Sequence, residues 1–240
     1  MKISEDARYN IASPTADRLS LVDAPGLPPG TKAACFTVPR APNRFRSELS
    51  LPHEPGFHER WYGVSQYVPA DWKPDDNPGS DIVIQWHAIP GNGKPTNPNL
   101  DIAIHGKKWV VHRAFGDPHQ GSTRTTKELD VALKPGTWSN WIIRAKWSPR
   151  EDGRIQIWHD GQQVFEHTGP NAYGTIGVDY TPYLKTGIYH PEWNFSKAGR
   201  EERFAKDRDP VERKQILVAK VVVASEAATL DDLKAALPSN

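Results

Sequence analysis

Arg154-Ile-Gln-Ile-Trp-His-Asp-Gly-Gln-Gln-Val-Phe-Glu-His167 holds two short runs joined by Asp160-Gly161. Asp-Gly suits a two-residue link whose central residues both need positive φ, so the stretch predicts a hairpin of strands 154–159 and 162–167. Outward from it the same alternation of Val/Ile/Trp-containing runs and turn residues recurs. Strands are predicted at 18–22, 32–38, 44–51, 59–68, 81–88, 100–105, 108–115, 128–133, 138–147, 183–190 and 215–224. The 22 prolines and 18 glycines of the 240-residue chain supply the breaks between them. Helix is expected only over 229–237, with Thr229 at its cap. About a dozen strands and almost no helix imply two packed antiparallel sheets, with residues 1–30 wrapping the outside.

A chain of this length can bury one sizeable core, and one domain over residues 1–240 accounts for the pattern. The charge balance, 30 basic against 29 acidic residues, gives no reason to expect a nucleic-acid or membrane partner. No apolar run approaches the roughly 18 residues that span a bilayer. The single cysteine, Cys35, excludes an intrachain disulfide and a Cys-based metal cluster, and it reads as a small buried hydrophobe. His58, His105, His112 and His190 show no repeated ligand spacing, so no metal site is expected from them.

Three segments far apart in sequence share one property. In Arg46-Ser-Glu-Leu49, Gln85-Trp-His87 and Tyr183-Leu-Lys-Thr-Gly-Ile-Tyr189, strand alternation groups the polar members on one side. Arg44, Arg46 and Glu48 fall on one face, as do Gln85 and His87, and Tyr183, Lys185 and Tyr189. Phe45, Leu49, Ile84, Trp86, Leu184 and Ile188 point the other way. Guanidinium, amide, imidazole, ammonium and phenol on a shared surface suit binding a carboxylate and moving a proton. A sugar uronate needs both: its carboxylate must be neutralised before the C5 proton can be removed, and the leaving O4 must then be protonated.

The three segments resemble the signature strands of the jelly-roll polysaccharide lyases, a group that includes alginate lyases, glucuronan lyase and heparin lyase I. Glu59-Arg-Trp-Tyr-Gly-Val-Ser-Gln-Tyr-Val-Pro69, Trp138-Ser-Asn-Trp141 and Asp152-Gly-Arg-Ile-Gln-Ile-Trp-His-Asp-Gly161 extend the likeness to the glucuronan and heparin branch, over roughly residues 40–225. The resemblance implies a β-jelly-roll sandwich of concanavalin type. It also implies cleavage of an anionic, uronate-containing polysaccharide by β-elimination to 4,5-unsaturated products. In that group Arg and Gln neutralise the carboxylate, here Arg46 and Gln85. His and the second Tyr of the last motif carry the protons, here His87 and Tyr189. Lys185 is then a supporting cation. The implied protein needs no organic cofactor and at most a structural calcium; it is a monomer, secreted or periplasmic.

Trp86 stands where alginate lyases prefer an aliphatic residue, and His190-Pro191 follow Tyr189 where the alginate enzymes continue toward Gln and the heparin branch toward Arg; glucuronan is the first choice of substrate, ahead of alginate or a glycosaminoglycan. Glu48 is expected to orient Arg46, since a free carboxylate would repel a uronate. His53 lies just past the first segment, within reach of the same surface. Lys94 in the loop 89–99 and Arg124 in the loop 116–127 add cations to the substrate-binding set of Lys185, Tyr183, Arg44, Glu48 and His53. Trp61, Trp72 and Trp193 are the aromatic candidates for sugar stacking. Two rivals compete. A hydrolase would need two carboxylates placed across the scissile bond, and no Glu-x-Asp-x-x-Glu run occurs. A non-catalytic carbohydrate-binding sandwich would tolerate changes at Tyr189 with only graded loss of affinity.

Overall fold

The computed structural model describes residues 17–52, 54–74, 79–88, 96–117, 121–174, 180–206 and 211–239. Fifteen strands follow in order: β1 (Leu19–Asp23), β2 (Lys32–Pro39), β3 (Arg46–Ser50), β4 (Glu54–Pro55), β5 (Glu59–Val68), β6 (Asp81–His87), β7 (Leu100–His105) and β8 (Lys108–Asp117) come first. They continue with β9 (Gly121–Ala132), β10 (Thr137–Lys146), β11 (Arg154–His159), β12 (Gln162–Thr168), β13 (Tyr180–Thr181), β14 (Tyr183–Tyr189) and β15 (Arg213–Ser225). Two helices, α1 (Arg200–Lys206) and α2 (Leu230–Ala236), and a single 3-10 turn at Pro191–Trp193 complete the described elements.

The strands form a seven-stranded sheet in the order β1-β2-β15-β5-β10-β11-β12 and a six-stranded sheet in the order β3-β14-β6-β7-β8-β9, with β4 and β13 paired apart. Every strand pairing in these sheets is antiparallel. The two faces that meet are apolar. Phe36, Val64, Trp141, Ile143 and Ile157 from one sheet pack with Ile84, Trp86, Leu100, Trp109 and Ile188 from the other. This is the expected β-sandwich of the jelly-roll type. The predicted hairpin forms: Asp160 (φ 48°) and Gly161 (φ 83°) both take the positive φ that this tight turn requires.

The sandwich is capped on the outer face of the seven-stranded sheet. Thr229 accepts from the Asp232 amide while Asp232 answers the Thr229 amide, a reciprocal cap that starts α2. Leu233 and Leu237 then cover Trp61, Ile142 and Trp158. Trp61 is thus buried beneath a helix and stacked on Trp158, and Trp193 is enclosed against His190. Neither can present its ring to a sugar. Trp72 lies instead beneath the Lys214 ammonium, 4.6 Å from ring centre to Nζ. Cys35 is buried in a smaller apolar cluster with Ala33, Trp138 and Leu217.

Two local departures set the geometry of the six-stranded sheet. A bulge between Ile82 and Ile84 turns Val83 and Ile84 both into the core, and Ile82 is left on the opposite face beside Tyr189. In β14, Gly187 has φ 134°, and a Cβ there would lie 2.3 Å from the Ser47 carbonyl oxygen and 2.8 Å from Glu48 Cα. Glycine is therefore required for β3 to approach β14 closely enough to pair Gly187 with Glu48 and Tyr189 with Arg46.

Candidate active site

The register brings the three signature segments together. Tyr183 lies opposite His87 and Lys185 opposite Gln85, while Lys185 also faces Ser50 and Tyr189 faces Arg46. Side chains from β3, β14 and β6 thus share the face turned away from the core. The apolar partners named from alternation occupy the core side: Leu49, Ile84, Trp86, Leu184 and Ile188 are buried there, and Phe45 packs against its edge.

The shared face has two levels. At the floor, Glu48, Gln85 and Lys185 are buried. Lys185 Nζ donates to Glu48 Oε2 at 2.9 Å, and the Gln85 amide donates to Glu48 Oε1 in a very short hydrogen bond. Burial alone would raise the Glu48 pKa. The Lys185 and Arg46 charges and the hydrogen bonds from Lys185 and Gln85 outweigh that and hold it below the usual carboxylate range. Glu48 therefore stays ionised and fixes Gln85 and Lys185. It was expected to orient Arg46, but the bonds it makes are to these two, because the pairing of β14 with both β3 and β6 places them around it.

Above the floor, Arg46, His87 and Tyr189 are half-buried. The Arg46 guanidinium lies over the Tyr189 ring at 4.7 Å and near the Phe45 ring at 5.0 Å. Phe45 meets Tyr189 edge to face, with centroids 5.8 Å apart. Arg46 Nε is buried with no hydrogen-bond partner among the described residues. His87 Nδ1 is 2.7 Å from the Ala88 carbonyl oxygen, a contact that requires the proton on Nδ1 and leaves Nε2 as the accepting atom of the neutral ring. Burial, with the Lys185 and Arg46 charges adding to it, lowers the His87 pKa to about 4, so the imidazole is neutral at ordinary pH. With two cations and one carboxylate, the cluster carries one net positive charge next to a neutral imidazole and a phenol.

The remaining sequence-derived residues divide. Tyr183 is buried with its ring 6.1 Å from that of His87, so it buttresses the imidazole. Arg44 precedes β3 instead of belonging to it, and its guanidinium pairs with Asp17 at the surface, 3.2 Å away; it does not join Arg46. Arg124 was expected in a loop, but β9 starts at Gly121, so Arg124 is an exposed strand residue opposite Ala114. His53 and Lys94 lie outside the described residues.

Sequence reasoning passed over one pair. Asp101 is paired with Gln85 across β6 and β7, and His112 is paired with Asp101 across β7 and β8. His112 Nδ1 lies 2.6 Å from Asp101 Oδ1, both residues buried. Lys185, Gln85, Asp101 and His112 thus make a continuous polar row across four strands. The alternation in Leu100-Asp-Ile-Ala-Ile104 carries the signal that flagged Gln85, a polar residue between core aliphatics. Among the described residues no group of three His, Cys, Asp or Glu side chains is placed to hold a metal ion.

The family model described as "Polysaccharide lyase" matches residues 7–207, most of the chain. The chain belongs to the polysaccharide lyase family. It is accordingly an enzyme that acts on polysaccharides. Among solved structures, the endo-β-1,4-glucuronan lyase of the fungus Trichoderma reesei superposes with a TM-score of 0.69 at 22% identity, covering 86% of each chain. The alginate lyase of Klebsiella pneumoniae superposes at 0.56 and 13% identity, covering 89% of this chain and 86% of that one. A family 7 alginate lyase gives 0.53 and 14%, covering 88% and 83%. At these identities the likeness is one of fold. No curated protein matches the chain in sequence.

Proposed function

We propose that this polysaccharide lyase cleaves a uronate polymer, glucuronan first, by β-elimination on the face formed by β3, β14 and β6. The observation that carries the reading is the unbalanced charge of Arg46. Glu48 is engaged by Lys185 and Gln85, which leaves a guanidinium over Tyr189 to receive one carboxylate. Gln85, fixed through Glu48, has a second amide hydrogen for the same carboxylate or for the enolate oxygen as charge develops. Because Lys185 is buried and bonded to Glu48, it supports this site through its field, without sugar contact.

The Arg46 guanidinium lies over the Tyr189 ring, and its charge helps to lower the His87 pKa. His87, neutral and with Nε2 as the accepting atom, takes the C5 proton. Tyr189 gives its phenolic proton to O4 of the departing sugar. The C4–O4 bond breaks, and the electron pair from C5–H becomes the C4–C5 double bond. A polymer substrate of this kind places the enzyme outside the cytoplasm, in the periplasm or secreted.

The resemblance to the T. reesei enzyme supports glucuronan as the first polymer to try. The test is ultraviolet absorbance of the unsaturated uronate end during incubation with glucuronan, alginate and heparin in parallel. The expected result is a rise with glucuronan that exceeds the other two. Flat traces with all three would reject a uronate substrate, and a rise confined to alginate or heparin would reassign it.

A further inference from the structure

At the edge where β9 and β12 close the sandwich, the alternation that fills the core with aliphatic side chains gives way. Arg113 pairs with Leu100, which is core, and His167 pairs with Ile155, also core. Arg113 and His167 therefore point between the sheets, as does Lys127, which pairs with core Val111. Together with Thr125 and Phe165 they line a cleft of about 360 Å³, within the usual size range of small-ligand sites.

A guanidinium at the inward Arg113 position costs stability unless something answers it. The obvious acid does not. Glu166 also lines the cleft, but its carboxylate is taken up by Arg154 at 2.7 Å, Gln163 at 3.1 Å and Gln156 at 3.3 Å. Arg113 has no ion pair or hydrogen bond among the described residues, and its Nη1 is buried without a partner. Its cation lies over the Phe115 ring, 5.4 Å from the centroid. His167 lies 3.3 Å from the Pro170 carbonyl oxygen through Nε2, and burial with the Arg113 charge lowers its pKa, so it enters as a neutral ring. Arg113 lines the cleft, and a guanidinium N–H left without a protein acceptor calls for one.

We propose that this cleft is a second binding site, separate from the β3-β14-β6 face, that takes the carboxylate of a uronic acid sugar. Arg113 and Lys127 hold the oxyanion, the Thr125 hydroxyl binds a sugar hydroxyl, and the Phe165 ring offers an apolar surface to the pyranose. The oxyanion assignment stands on the cleft alone; the choice of a uronate as its bearer rests on the proposed function.

The experiment is a proton–nitrogen correlation titration of the whole chain with sodium glucuronate, with sodium phosphate and with glucose in separate arms. Saturable shifts of the Arg113, Thr125 and His167 signals are expected with glucuronate and not with glucose. Arg113→Gln should weaken that binding about tenfold or more, the scale of one charge-assisted hydrogen bond. Lys127→Gln, at an exposed position that does not endanger folding, should weaken it about two- to fivefold. Both variants should retain wild-type turnover. Saturation by phosphate but not by glucuronate would overturn the uronate assignment. Absence of saturable shifts with either anion, or unchanged affinity in both variants, would overturn the site. Glucuronate binding here in a protein that cleaves no uronate polymer would sink the proposed reaction and leave the site standing.

Discussion

Two buried carboxylates, Glu48 on β3 and Asp81 on β6, are each held by a lysine. Glu48 joins Lys185 and Gln85 on the outer face of the six-stranded sheet. Asp81, at the start of β6, accepts from His190 at 2.5 Å and pairs with Lys214 of the other sheet at 3.0 Å. All of these side chains are nearly inaccessible. In both clusters burial pushes the carboxyl pKa up and the neighbouring charges pull it below the usual range: Lys185 and Arg46 at Glu48, His190 and Lys214 at Asp81. The difference lies in what is left over. Lys214 also donates to the Lys73 carbonyl oxygen and rests on Trp72, so the inner cluster spends its bonds tying one sheet to the other. The outer cluster leaves Arg46 over Tyr189, facing the half-open layer. Burial and ion pairing alone do not mark a site; an unanswered charge beside a proton carrier does.

The contrast can be broken most severely at Tyr189. Tyr189→Phe should lower turnover about 10²–10⁴-fold, the range for loss of a general acid or base, while polymer binding measured by calorimetry is retained. Turnover within a fewfold of wild type would remove Tyr189 from the chemistry.

Next come the two carboxylates themselves, compared in one pair of variants. Asp81→Asn leaves Lys214 buried without its counter-charge and should cost about 3–5 kcal/mol in urea unfolding, with turnover per folded molecule nearly unchanged. Glu48→Gln should also destabilise, but it should additionally depress kcat, because Gln85 and Lys185 lose the acceptor that positions them. Equal effects of the two variants on kcat would erase the distinction between the clusters.

The pH dependence sharpens the role of His87. Its folded pKa is depressed to about 4, whereas an unfolded chain titrates near 6.5. Between those values the unfolded state binds more protons, so stability is present above the unfolded pKa and falls as pH drops from about 6.5 toward 4. As the base, His87 should keep the acid limb of kcat/KM well below pH 6, near 4. An acid limb at pH 6–7 that vanishes in His87→Gln would show that the imidazole is not desolvated as described.

Arg44→Gln should have the smallest effect, within about 0.5 kcal/mol of wild-type stability and with unchanged kcat, since its partner Asp17 is a surface residue. A tenfold loss of kcat would return Arg44 to the site.

The sandwich and most strands were legible because the apolar alternation that buries Ile84, Trp86, Leu184 and Ile188 is written locally. So was the hairpin at Asp160-Gly161, whose turn chemistry is unambiguous. The strand β9 was read too short. Its first half, Gly121-Ser-Thr-Arg-Thr-Thr-Lys127, lies on a sheet edge and has no apolar face to announce it. The helix α1 escaped for a related reason, since it buries no residue. Arg46, Gln85, His87 and Tyr189 could be grouped by alternation, but the partners of Glu48 could not, because register across three strands is a tertiary property. The Asp81–His190–Lys214 cluster shares that limit: its members lie 109 residues apart in one bond and on different sheets in the other.

The central claim is that this face eliminates rather than hydrolyses, and on a uronate chain. Mass spectrometry of glucuronan digested by the wild-type protein in heavy-oxygen water tests it most directly. The account predicts new non-reducing ends that are unsaturated, with no heavy oxygen entering at the cleaved bond. Saturated products carrying one heavy oxygen per cleavage would contradict it.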